Sequence, residues 1–225
     1  MSQLAETVFL FDVDNTLLDN DRIEADLGQH LEDEYGAAGC DRFWAIFEAL
    51  RGELGFADYL GAVQRYRLET IHDPRVLGLA SFLLEYPVAS RLYPRALDTL
   101  AHVGQWGRTV ILSDGDAVLQ PRKIRRTGIW DAVEGRVLIY VHKERMLDDV
   151  KAHYPAQHYV TIDDKPGVLA AMKKIWGAQL TTVLPRQGRY ARTSAGTASI
   201  APADMTVEHI ADLIGYSYSD FALPK

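Results

Sequence analysis

Asp12 and Asp14 stand two residues apart at the end of the apolar run Thr7-Val8-Phe9-Leu10-Phe11, and Asn15-Thr16 follows them. Two carboxylates at the mouth of a buried strand are costly unless a cation or a proton holds them. Taken alone, an Asp-x-Asp reads equally well as the start of a turn. Three further runs change that balance. Arg108–Leu112 leads into Ser113-Asp114-Gly115-Asp116, Val137–Val141 into His142-Lys143, and His158–Ile162 into Asp163-Asp164. On one edge these supply four carboxylates, a hydroxyl and an ammonium. Several carboxylates together call for a hard divalent cation with oxygen ligands, and Mg²⁺ fits best. An aspartate can attack phosphorus and form an aspartyl phosphate. Lys143 adds positive charge and Ser113 donates to a phosphoryl oxygen. A leaving alkoxide needs a proton, so a second carboxyl group must act as acid and then as base toward water. Asp12 and Asp14 can divide these roles, and the chemistry is phosphoryl transfer.

The elements that must position these groups are parallel strands, because only then do all the carboxyl ends share an edge. Short apolar runs do alternate with helical stretches along the chain. The expected helices cover about 94–100, 118–127, 145–153 and 166–176, and the later strands cover 181–184 and 205–207, with a last helix over 207–214. The fold class is α/β, a Rossmann-like parallel sheet. Between 17 and 87 the texture changes. Apolar residues recur at helical spacing, proline is absent up to Asp73, and Gly36, Gly39, Gly52, Gly55 and Gly61 punctuate several helices. This block reads as a helical cap domain (17–87) inserted into a core built from 1–16 and 88–225. Gln187–Pro202, rich in Ser, Thr, Ala, Gly and Arg, reads as a surface loop.

The constellation resembles the haloacid dehalogenase superfamily, in its phosphatase branch with a helical cap of the first type. The family's Asp-x-Asp-x-Thr motif is matched by Asp12-Val13-Asp14-Asn15-Thr16, its strand-ending Ser or Thr by Ser113, its Lys by Lys143, and its paired acids by Asp163-Asp164. The resemblance spans Thr7 to about Ile214. It implies Asp12 as nucleophile and Asp14 as general acid/base. It implies Mg²⁺ on the Asp12 carboxylate, the Asp14 backbone carbonyl and Asp164, with Asp163 close by. Ser113 and Lys143 would hold the phosphoryl group. Many relatives carry a further acid a few residues on, where this chain has Lys165-Pro166-Gly167-Val168.

Substrate choice then falls to the cap, whose closure would exclude water. The Gly-flanked turn Arg51–Phe56 either reaches the site, with Arg51 on substrate, or simply joins two helices. Asp114 and Gly115 join the expected substrate contacts, although Asp114 and Asp116 also suit capping at a glycine-containing turn. Lys123, with Arg122, Arg125 and Arg126, reads as a solvated helix face rather than a rival to Lys143. Asp19 and Asp21 read as the start of the first cap helix, His153 and His158 as surface or packing residues, and Trp44, Phe47 and Trp106 as core.

The 225 residues carry a formal charge of −7, a pI near 5.5 and 48% hydrophobic residues. That balance suits a packed core and argues against broad attraction to nucleic acid. The single cysteine, Cys40, excludes an intrachain disulfide and a cysteine-based zinc site. Neither a secretory leader nor an apolar run of membrane-spanning length is visible, so a cytoplasmic monomer or homodimer is expected. The reading is a Mg²⁺-dependent phosphatase for a small phosphorylated metabolite. A phosphomutase or a haloacid dehalogenase on the same core, or a non-catalytic binding protein keeping the fold, are the rivals.

Overall fold

The computed structural model describes residues 5–193 and 200–221. Side chains alternate along β1 (Ala5–Phe11), so Val8 and Leu10 enter one core while Phe9 and Phe11 enter the other. Five more strands join it in parallel: β2 (Arg108–Asp114), β3 (Val137–Tyr140), β4 (Ala156–Ile162), β5 (Leu180–Pro185) and β6 (Met205–Val207). Their order is β3-β2-β1-β4-β5-β6. The connections include helices α4 (Ala96–Val103), α5 (Leu119–Arg126), α6 (Ile129–Ala132), α7 (Leu147–His153) and α8 (Pro166–Trp176). Leu100, Val103 and Ile124 cover the Phe9/Phe11 face; Leu147, Val150, Met172 and Trp176 cover the other. Both faces of β1 are therefore buried, which is why it reads as an uninterrupted apolar run.

The helical cap is made of α1 (Asn20–Leu54), α2 (Tyr59–Glu69) and α3 (Val76–Glu85). It has its own core of Leu27, Leu31, Phe43, Phe47, Tyr66 and Leu79, with further residues around them. The chain leaves the sheet and returns along two adjacent strips. Asp19 N donates to Arg91 O at 2.8 Å, Tyr93 N donates to Leu17 O at 3.0 Å, and Leu18 bridges to Leu92. Glycine punctuates the cap less than expected. Gly36 (φ 72°) breaks α1, and Gly55 (φ 81°) ends it in the left-handed conformation, its N–H donating to Arg51 O. Gly39 and Gly52 lie inside α1, and Gly61 lies in the first turn of α2. A glycine interrupts a helix only where the backbone takes up the conformation that glycine permits.

Two expectations near the end of the chain need correction. The segment after Val207 is a 3-10 turn, Ile210–Gly215, rather than an α-helix. The loop predicted over 187–202 starts with a buried residue. Gln187 donates to Thr16 O at 2.6 Å and accepts from Ile210 N at 2.9 Å. Arg189–Arg192 then forms one helical turn, and residues 194–199 lie outside the described residues.

His158, on β4, packs as expected: it is buried, with Nε2 at 3.1 Å from both Thr181 Oγ1 and Phe221 O. Burial holds its pKa below the usual histidine value. As pH falls through about 6.5, the unfolded chain takes up a proton that the folded chain resists. Stability is therefore lost progressively down to the depressed folded value. His158→Gln should flatten this slope in denaturant midpoints measured between about pH 7 and 5, and an unaltered slope would assign the effect to other groups.

Candidate active site

Strand register sets the site. Phe11 pairs with Ile111 on one side and Ile162 on the other, which brings Asp12 level with Leu112 and Asp163. Asp12 N donates to Ile162 O at 3.0 Å and Asp163 N to Val183 O at 3.2 Å, so both acids are held by the last rungs of the sheet. Each of Asp12, Asp163 and Asp164 offers a carboxylate oxygen, and these oxygens all lie within 4.8 Å of one another. All three residues are buried.

Lys143, 1% exposed, reaches into this group from the turn after β3. Its Nζ donates to Asp12 Oδ1 at 2.5 Å and to Leu112 O at 3.3 Å. It also lies 2.6 Å from Asp163 Oδ2. Burial alone would lower the Lys143 pKa, but Asp12 and Asp163 outweigh it and hold the ammonium firmly charged. One ammonium does not neutralise three acids. Burial, then the neighbouring Asp163 and Asp12, push Asp164 up to about 8, and burial also raises Asp163.

Asp14 is placed differently. Its carboxylate is a quarter exposed and takes a bidentate contact from Lys123 Nζ, 2.8 Å to each oxygen. Lys123 also donates to Asn20 Oδ1 at 3.1 Å, at the first residue of α1. Of the expected solvated face of α5, Arg122, Arg125 and Arg126 are exposed, whereas Lys123 turns into the cleft. Arg122 and Arg126 donate to the carbonyls of Leu84, Glu85 and Tyr86 at the end of α3, and Arg125 lies over the Trp130 ring. The terminal carbonyls of a helix lack intrahelical partners and carry its negative pole, so cations settle there.

Ser113 Oγ is buried, accepts from Gln120 Nε2 at 2.9 Å and donates to Asp114 O at 3.3 Å. Asp114 Oδ1 accepts from Lys143 N at 2.8 Å, and burial pushes its pKa up to about 6. Asp116 caps α5, accepting from Val118 N and Leu119 N at 2.7 Å each. Asp19 caps α1 through Arg22 N, as expected.

A scan of protein-family models finds no match to this chain, and no curated protein matches it. Among solved structures, a protein from Burkholderia xenovorans LB400, assigned to the haloacid dehalogenase-like hydrolases, is 61% identical with a TM-score of 0.90. The match covers 95% of this chain and 97% of that one. This chain belongs to the haloacid dehalogenase-like hydrolases. Two more distant structures share the fold. One is a magnesium-bound hydrolase of this superfamily from Bacillus subtilis (16% identity, TM-score 0.63, covering 95% of this chain and 98% of that one). The other is the L-2-haloacid dehalogenase of Xanthobacter autotrophicus with chloropropionic acid covalently bound (17%, 0.59, covering 93% and 97%).

The acidic group of this haloacid dehalogenase-like hydrolase suits a cation. Among the described residues, Asp12 Oδ2 and both Asp164 oxygens are buried without a hydrogen-bond partner. Unpartnered carboxylate oxygens converging from two strand ends form a donor set for a hard divalent ion. Three further residues build the site: Thr16 was read only as part of the motif, and Gly188 and Gln120 were not picked out from the sequence. Thr16 Oγ1 accepts from Asp164 N at 3.1 Å. A Cβ on Gly188 would lie 2.7 Å from Asp164 Oδ2 and 2.4 Å from Asn15 Cβ, so only glycine lets the chain pass there. Gln120 fixes the Ser113 hydroxyl. Thr16 belongs to a recognisable motif; Gly188 and Gln120 carry no local signal.

Over this edge lies a cleft of about 380 Å³ between cap and sheet. Asp14, Asp114, Gly115 and Lys123 line it from the sheet side, and Arg51, Gly55 and Phe56 line it from the cap. The expected turn over 51–56 is in fact the last turn of α1, through Leu54, followed by Gly55 and Phe56, and Arg51, Gly55 and Phe56 reach the cleft rather than only joining two helices. Phe47 is both cap core and cleft wall, stacked on Tyr59 with ring centroids 4.5 Å apart. Among the described residues no helix is long and apolar enough to cross a membrane.

Proposed function

We propose that this hydrolase is a Mg²⁺-dependent phosphatase for a small phosphorylated metabolite, acting through an aspartyl phosphate on Asp12. One observation carries the reading: three buried carboxylates within 4.8 Å of one another, with one buried ammonium among them and unpartnered oxygens on Asp12 and Asp164. A haloacid dehalogenase expels halide, which needs neither a proton nor a metal, so it has no use for this excess of acid. Bound at Asp12, Asp163 and Asp164, Mg²⁺ would neutralise phosphoryl charge and so admit an anionic nucleophile.

The chain's own residues account for the rest. Lys143 orients the Asp12 carboxylate and adds positive charge where phosphoryl oxygens gather. Ser113 turns its hydroxyl from the Asp114 carbonyl to a phosphoryl oxygen, and the missing side chain at Gly115 lets Gln120 pack close beside it. Asp12 attacks phosphorus, the ester P–O bond breaks, and Asp14 protonates the departing oxygen. Asp14 then takes a proton from water, which attacks phosphorus and releases phosphate from Asp12. To do so Asp14 exchanges one of its two Lys123 contacts for the leaving oxygen, within a cleft that both residues line. The test is hydrolysis of p-nitrophenyl phosphate with Mg²⁺ and with EDTA, alongside halide release from 2-chloropropionate. Mg²⁺-dependent phosphate release without halide release is expected. Halide release insensitive to EDTA would replace this reading with the dehalogenase.

A further inference from the structure

The cleft's charges pair off unevenly. Lys123 is matched to Asp14, and Arg189 to Glu24 and Asp21. Asp116 is consumed in capping α5, and Asp114 accepts from the Lys143 backbone. Two lining cations are left. Arg51 has only a loose, exposed contact with Glu48 at 3.5 Å. Lys165, half-buried, has no carboxylate at ion-pair distance among the described residues. One comes from the cap and the other from the sheet, yet both meet at Tyr190. Arg51 Nη2 donates to Tyr190 Oη at 2.9 Å, and Lys165 Nζ lies 5.6 Å from the Tyr190 ring centre. Tyr190 thus joins the two walls beside a pair of underused charges.

The acidic group lies beyond ion-pair distance of Lys165 and is engaged instead by Lys143, at Asp12 and Asp163. An anion entering the cleft would find a planar guanidinium fork at the Tyr190 hydroxyl and an ammonium over the Tyr190 ring, both already in place in the lining. A phosphoryl group held at Ser113 and Lys143 is spoken for by those residues. The second anion must therefore belong to the leaving group.

We propose that Lys165 and Arg51 are specificity-determining residues forming a second anion subsite, and that the preferred substrate is a phosphate monoester whose alcohol carries its own anionic group. This inference rests on the phosphatase reading. A carboxylate and a second phosphate share the required chemistry.

Three esters of one carbon skeleton separate the possibilities: propyl phosphate, 3-phosphonooxypropanoate and propane-1,3-diyl bisphosphate. Hydrolysis with Mg²⁺ and equilibrium binding by thermal shift are measured for each. Wild-type protein should prefer at least one anionic ester to propyl phosphate by about 10-fold or more, chiefly in KM and in binding. Which anionic ester leads identifies the carboxylate or the phosphate. Lys165→Met and Arg51→Met should each shrink that ratio, and Lys165→Arg should restore part of it. Equal kcat/KM and equal binding for all three esters overturn the subsite and leave the phosphatase intact. So does a Lys165→Met or Arg51→Met protein that weakens all three in proportion. If no ester is hydrolysed, the phosphatase reading falls, and the binding ratios still decide whether the anion subsite exists.

Discussion

Asp12→Asn is expected to lower kcat for phosphate-ester hydrolysis by about 10⁴-fold or more while leaving a folded protein. The size of the effect follows from the removal of a nucleophile for which no other group can substitute. Asp163 and Asp164 come from a different strand end, and Asp14 is turned toward Lys123. The fold should survive because the Asp12 backbone bond to Ile162 O is retained and an amide can still accept from Lys143. Asp14→Asn makes a useful contrast. It removes the proton carrier and not the nucleophile, so a loss of about 10²- to 10⁴-fold is expected. Phosphate should then accumulate on Asp12 during turnover, visible as a mass increase on the peptide containing it. An Asp12→Asn protein with normal turnover would end the covalent mechanism.

Adding Mg²⁺ to EDTA-treated protein should raise its melting temperature by several degrees. An ion at 100 times its Kd stabilises the folded state by about 2.7 kcal/mol, and each kcal/mol shifts the midpoint by about 2–4 °C in a chain of this size. The physical source is relief of repulsion. Burial, with Asp163 and Asp12 beside it, disfavours charge on Asp164, whose oxygens have no hydrogen-bond partner. A divalent cation supplies the charge that the single Lys143 ammonium lacks. Asp164→Asn removes a buried carboxyl group whose ionisation is disfavoured, so the metal-free variant should melt no lower than metal-free wild type. Its Mg²⁺ response should shrink strongly. An equal Mg²⁺ shift in both proteins would place the ion elsewhere. This measurement needs no substrate, so it tests the metal site apart from the reaction.

The cap's attachment bears on both experiments. Lys123 links the Asp14 carboxylate to Asn20 at the start of α1, while Arg122 and Arg126 hold the carbonyl end of α3. One short helix of the sheet domain therefore touches the proposed proton carrier and both ends of the cap.

The chemistry-bearing residues were legible in the linear chain because strand alternation is a local property. Apolar runs too short for helices, separated by helical stretches, can only be parallel strands, and parallel strands must present their carboxyl ends together. That reasoning placed Asp12, Ser113, Lys143, Asp163 and Asp164 on one edge without any knowledge of contacts. Within the basic run 122–126, Lys123 was misread for the converse reason. Helical spacing shows which residues share a face but not what that face meets, and Lys123 meets a residue 109 positions away. Gln187 was likewise placed in a surface loop by its neighbours' composition, although Thr16 and Ile210 bury it. Gly188 looks like any other loop glycine until Asp164 and Asn15 are packed against it. Side-chain type and local period were enough to assemble the acids, whereas partners across long loops, the division of charge in the cleft and the pairing of Asp14 depended on folding the chain into three dimensions.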